Sequence, residues 1–204
     1  MLIQLIFKDP FLFLIITVAI IFALTIHEFF HAWMAYYLGD STAKDLGRLT
    51  INPLAHLDPF GTILLFIAGF GWGKPVPFNP HNLRNKKWGP SLVALAGPAS
   101  NFLIALIVGL ALRFLTLTDS YLIIFLGYFV WINLLLGIFN LMPIPPLDGS
   151  HLFAVIFPAL EDMKRSLQGN MIFIIGVIFF MIYIGIPYIV RPLFVLITGI
   201  PSLF

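Results

Sequence analysis

The sequence predicts an all-α polytopic membrane protein, a single membrane-embedded domain over residues 1–204. Two observations carry this: 60% of the residues are hydrophobic and only 10% charged, with a mean hydropathy of +1.03, and apolar runs of spanning length recur along the chain. A soluble domain has about 45–50% apolar and about 25% charged residues, whereas a bilayer-crossing helix needs about 20 apolar residues in succession. There is no cysteine, which excludes a disulfide framework and any thiolate-ligated metal. The formal charge of +2, spread without a long basic run, gives no case for a nucleic-acid partner.

The elements follow in order. "FLFLIITVAIIFALTIHEFFHAWMAYYL" (11–38) is the first span, too long for a signal-peptide core of 7–15 residues. "GTILLFIAGFGWG" (61–73) is apolar but too short to cross, so a small re-entrant, membrane-associated β-hairpin is expected between spans one and two. "GWGKPVPFNP" (71–80) reads as an edge strand beside it, its prolines limiting ladder bonds. "SLVALAGPASNFLIALIVGLALRFL" (91–115), "YLIIFLGYFVWINLLLGIFNLM" (121–142) and "MIFIIGVIFFMIYIGIPYIV" (171–190) are three further spans. The stretches 151–160 and 192–204 read as partial or interfacial helices.

Orientation follows from Lys and Arg. Lys44, Arg48, Lys74, Arg84, Lys86 and Lys87 lie between spans one and two, and Lys164 and Arg165 between spans three and four. The positive-inside rule then puts residues 39–90 and 143–170 in the cytoplasm and the N-terminus outside.

Against that frame the run "TIHEFFHAW" is anomalous, because ionisable groups at lipid depth are costly and mark function. His27 and His31 are four apart and share a helix face, so both rings can address one metal ion. Glu28 points to the side of that face, where it can take a proton from an attacking water without occupying a coordination position. The alternative is that the histidines are packing elements hydrogen-bonded inside a helix bundle. A catalytic zinc site needs a third protein ligand, and topology restricts it to the cytoplasmic ends of other spans. In "FNLMPIPPLDGSH" (139–151) the prolines break the helix near Met142 and leave Asp148 in irregular backbone at that level. Asp148 reads equally well as the cap of a following helix.

HEFFH (27–31), GPASN (97–101) and NLMPIPPLDG (140–149), in this order, resemble the three signature segments of the site-2 protease family of intramembrane zinc metalloproteases. The resemblance covers residues 11–151, a three-helix catalytic core, with C-terminal membrane helices over 152–204. It implies one Zn2+ per chain held by His27, His31 and Asp148, Glu28 as general base, and Asn140 orienting substrate or stabilising the oxyanion. Asn101 belongs to its G-P-x-x-N box, with interhelical hydrogen bonding an equal reading. His151 is a candidate for the outer sphere of the metal. "RLTINPLAHLDPFGT" (48–62) looks like a recurring feature of small prokaryotic members. Its His56 and Asp58 are candidates to approach the zinc as a gate, against a turn and a helix cap. His81 reads as solvated loop.

The expected activity is hydrolysis of a peptide bond in or near a transmembrane segment of a membrane-protein substrate, which must unwind locally and pair with a strand edge. The chain has no room for an appended PDZ or CBS domain, so selection rests on the membrane core, oligomerisation or a partner. The alternatives are a metal transporter, disfavoured because the ionisable groups cluster at one side of the membrane, and a non-proteolytic membrane-protein-binding relative.

Overall fold

The computed structural model describes residues 2–68, 71–157, 176, 179 and 186–201. Its principal helices are α1 (Pro10–Tyr37), α2 (Pro59–Ala68), α3 (Gly89–Phe114), α4 (Ser120–Asn140), α5 (Gly149–Ile156) and α6 (Ile186–Thr198). Three of these, α1, α3 and α4, are long and apolar enough to cross a membrane. Most of the expected 171–190 span, with Lys164 and Arg165, lies outside the described residues. Residues 186–190, expected to end that span, are helical and continue in α6 through Pro192.

Local chemistry sets the helix ends. Asp9 caps α1, its Oδ1 accepting the Leu12 N–H at 2.9 Å, with Pro10 in the first helical position. Asp119 caps α4 in the same way through Leu122 at 2.9 Å. Both satisfy amides that a helix start otherwise leaves unpaired.

Between the three long helices the seams are built from small side chains at four-residue spacing. On α1 the buried positions include a row at every fourth residue, Ile15, Ala19, Ala23, His27, His31 and Ala35, which winds slowly round the helix; on α3 a similar row is Val93, Gly97, Asn101, Ala105 and Gly109. Small residues let backbones approach where hydrophobic burial against lipid offers little drive. Ala19 and Ala23 pack on Ile132 of α4, and Ala35 packs with Val93 of α3 and Leu83. Ala105, Val130 and Leu134 form a third cluster with Val190 and Phe194 of α6. His27 and His31 therefore sit mid-seam.

The connection from α1 to α3 is pinned by one buried carboxylate. Asp40 accepts the Asn79 N–H at 2.6 Å and the Asn82 amide at 2.9 Å, and also the Thr42 hydroxyl. Burial pushes its pKa up, but bonds from Thr42, Asn82 and Asn79 outweigh that and hold the carboxyl below the usual range.

The expected β-hairpin at 61–73 is not there: residues 59–68 are helical, 71–79 run on as irregular chain, and among the described residues the β pairing is one bridge, Leu57 to Gly73. Asp58 explains the difference. Its Oδ1 accepts the Gly61 N–H at 2.8 Å, its carbonyl takes the Thr62 N–H at 2.8 Å, and Pro59 fills the first helical position. That is a helix-start pattern, and it overrides the glycines that suggested a turn.

Candidate metal centre

Helix α1 and the residue that precedes α5 contribute to one point. His27 Nε2 and His31 Nε2 lie 3.0 Å apart, and Asp148 Oδ2 stands 3.1 Å from the first and 3.3 Å from the second. Asp148 occupies the N-cap position of α5, yet its side chain makes no capping bond; the carboxylate turns to the histidines instead.

The far side of each ring decides its protonation. His27 Nδ1 lies 2.6 Å from Asn101 Oδ1, and His31 Nδ1 lies 2.7 Å from the Val93 carbonyl. A carbonyl oxygen only accepts, so each Nδ1 carries a hydrogen, and in the neutral ring each Nε2 then presents its lone pair. The orientation of Asn101 is itself determined. Its amide donates to Asn133 Oδ1 at 2.8 Å and to the Ala23 carbonyl at 3.3 Å, while Asn133 donates to the Phe129 carbonyl at 2.8 Å. The chain of donors thus ends on backbone, where no alternative assignment exists.

With both rings neutral, two lone pairs face a buried carboxylate oxygen that has no other hydrogen-bond partner, an arrangement that a bound cation would satisfy. Two imidazoles and a carboxylate are a donor set for zinc. Ligands about 2.0–2.1 Å from a tetrahedral ion stand about 3.3–3.4 Å apart, close to the triangle observed. Backbone packing makes room for it. A Cβ on Gly97 would collide with His31 Nε2 and lie 2.6 Å from His31 Cε1 and 2.7 Å from His27 Cε1.

The trio opens into a cavity of about 470 Å³ also lined by Glu28, Asn140, His151, Pro75, Val76 and Phe78. Glu28 is buried and stands outside the converging trio. Asn140 ends α4 and donates to the Leu136 carbonyl at 3.1 Å. His151, exposed on α5, lines the cavity without joining the trio. His56 is elsewhere: fully buried in the α1–α3 connection, with Nε2 2.7 Å from the Thr50 carbonyl, it neither lines the cavity nor approaches the trio. Asp58 caps α2, and His81 is exposed in a helical turn over Pro80–Asn82. Two residues of consequence escaped the sequence reading. Asn133 sits in an apolar span with no motif around it, its polarity the one available signal. Arg48 was counted only as a topological charge, although it is buried.

A bundle of apolar helices closed around an HExxH helix, with a carboxylate completing a metal-ready trio, is the site of a membrane-embedded metalloprotease. Residues 116–184 match the model of peptidase family M50. The chain is 38% identical over 189 residues to "Putative zinc metalloprotease YwhC" of Bacillus subtilis, covering 89% of this chain and 85% of that protein. It is 36% identical over 166 residues to "Putative zinc metalloprotease Rip2" of Mycolicibacterium smegmatis, covering 76% of this chain and 61% of that one. No solved structure matches. The chain belongs to peptidase family M50, the site-2 protease family that its motifs resemble.

Proposed function

We propose that the chain is an intramembrane zinc metalloprotease that hydrolyses peptide bonds in or near the transmembrane segments of membrane-protein substrates, with its site towards the cytoplasm. The observation that carries this is the convergence of His27, His31 and Asp148 in the wall of a cavity that Glu28 shares. The basic residues of the α1–α3 connection support the sidedness.

A zinc ion held by His27, His31 and Asp148 supplies Lewis-acid polarisation of the scissile carbonyl and acidifies the water beside it. Glu28 takes the proton from the attacking water and later delivers one to the leaving amine. Asn101 and the Val93 carbonyl keep the imidazoles in the tautomer that offers Nε2 inward. Asn140, at the cavity wall, orients the substrate. The irregular stretch 74–79 takes up an unwound substrate segment by backbone pairing. Val76 supports this: it lines the cavity, and its N–H and C=O have no partner among the described residues.

The test is reconstitution of the full chain in nanodiscs with a panel of fluorogenic single-span peptides, comparing wild type with Glu28→Gln. We expect cleavage by wild type, a loss of about 10²–10⁴-fold in the variant, and equal zinc content in both. Zinc flux across liposomes without proteolysis would make the chain a transporter and refute the proposal.

A further inference from the structure

Residues 48–62 take no part in the metal centre, yet a buried charge is invested in them. Arg48 is 6% exposed. Its Nη2 donates to the Lys74 carbonyl at 2.6 Å and its Nη1 to the Pro75 carbonyl at 3.1 Å. Among the described residues no carboxylate forms an ion pair with it, and its Nε makes no hydrogen bond. A guanidinium buried against neutral carbonyls is a costly arrangement. Its hydrogen bonds hold the backbone of residues 74 and 75, while the Glu28 carboxylate lies within electrostatic reach of its charge.

Other contacts from the same segment end on the same stretch. The His56 carbonyl accepts the Lys74 N–H at 2.8 Å, and Leu57 bridges to Gly73. His56 is fixed in turn by Thr50. Gly61 lets the backbone of residue 72 pass, since a Cβ there would lie 2.9 Å from Trp72 N. Residues 72–75 are thus anchored from Arg48, His56, Leu57 and α2. The next residue, Val76, is left with free backbone groups at the cavity wall.

We infer that Arg48 is a positioning residue for substrate: with His56 it clamps residues 73–75 so that the backbone of Val76 is presented to an unwound substrate segment. This rests on the pairing role proposed above for residues 74–79. The occupant is a peptide backbone, because what the clamp leaves free is a main-chain donor and acceptor beside apolar side chains. The segment 48–62 acts on substrate through its hold on this stretch, with no contact to the metal.

The experiment uses the full chain in nanodiscs and Arg48→Lys, which keeps the charge but replaces a two-pronged planar donor with a point charge. The probe is a fluorogenic single-span peptide that wild type cleaves. Amide exchange by mass spectrometry is expected to quicken at Lys74, whose N–H is held by the His56 carbonyl, by at least about tenfold, since each charge-assisted bond lost is worth about that factor or more. KM for the peptide is expected to rise by about tenfold with kcat little changed, the pattern of lost uniform binding. Zinc affinity is expected to match wild type. Wild-type exchange and KM in Arg48→Lys would overturn the inference, and so would loss of zinc, which would mark a global structural role. A second comparison isolates the reading beneath it: in Glu28→Gln, bound peptide should slow exchange of the Val76 amide. Absence of that protection refutes the pairing role and, with it, the role of Arg48. Its presence, with Arg48→Lys unaltered, refutes Arg48 alone.

Discussion

Gly97→Ala is the sharpest single perturbation of the site, because it adds one carbon where the structure has no space. The new Cβ would lie 2.6 Å from His31 Cε1 and 2.7 Å from His27 Cε1, closer still to His31 Nε2. Ordinary carbon contacts are about 3.5–4.0 Å, so rings or helices must part by roughly 1 Å. A metal site tolerates ligand displacements of only about 0.2 Å. We therefore expect zinc affinity to fall by at least about 100-fold, the upper end of what loss of a single orienting partner costs. The overpacking adds about 1–3 kcal/mol of destabilisation. The assay is chelator competition on the full chain in detergent, with thermal melting beside it. Gly109→Ala, about three turns further along α3, is the comparator, since its Cβ would meet the Ile197 side chain of α6. It should lower Tm and leave zinc affinity within about twofold, as distant sites act independently. Wild-type zinc affinity in Gly97→Ala would refute the close approach of α3 to the two imidazoles.

Three other outcomes are expected. Asn133→Leu, which removes the acceptor orienting Asn101, should weaken zinc binding by about tenfold in the same chelator titration; unchanged affinity would limit Asn133 to packing. Val76→Pro deletes the free N–H at the cavity wall and should reduce peptide cleavage by about tenfold or more with zinc content intact, measured by initial rates. Asp40→Asn should cost about 1–3 kcal/mol at neutral pH, read from Tm against pH. The sign follows from a carboxyl held below its ordinary value when folded: its stabilisation is full above about pH 4 and fades as pH falls through the lower folded value. The gap between wild type and Asp40→Asn should therefore close in acid.

The metal centre was legible because its residues violate their surroundings. A glutamate between two histidines in an apolar run has few structural excuses, and the proline-broken end of the third span put Asp148 at their level. The choice between ligand and cap for Asp148 was not legible, since both need an aspartate before Gly149; only the direction of the side chain separates them. Asn133 was hidden for the opposite reason. One amide in a span can bond any neighbouring helix, and its partner Asn101 lies 32 residues away in sequence. The α2 error came from giving length and glycine content more weight than the capping chemistry of Asp58 and Pro59. The burial of Arg48 was not legible, because positive charges flanking spans ordinarily serve topology and burial cannot be read from a loop composition.

The two histidines are held by acceptors of different kinds, a side chain for His27 and a main-chain carbonyl for His31. That difference sets how each tolerates genetic change. A single base change can delete the amide that orients His27, whereas no substitution removes the carbonyl of residue 93; it can only be tilted by reshaping the backbone of α3. Random mutagenesis should therefore find lesions of the first imidazole scattered over Asn101 and Asn133. Lesions of the second should be confined to replacements that reshape α3, so the hydrogen-bonding half of the site that looks least specified by the genetic code is the half best protected from it.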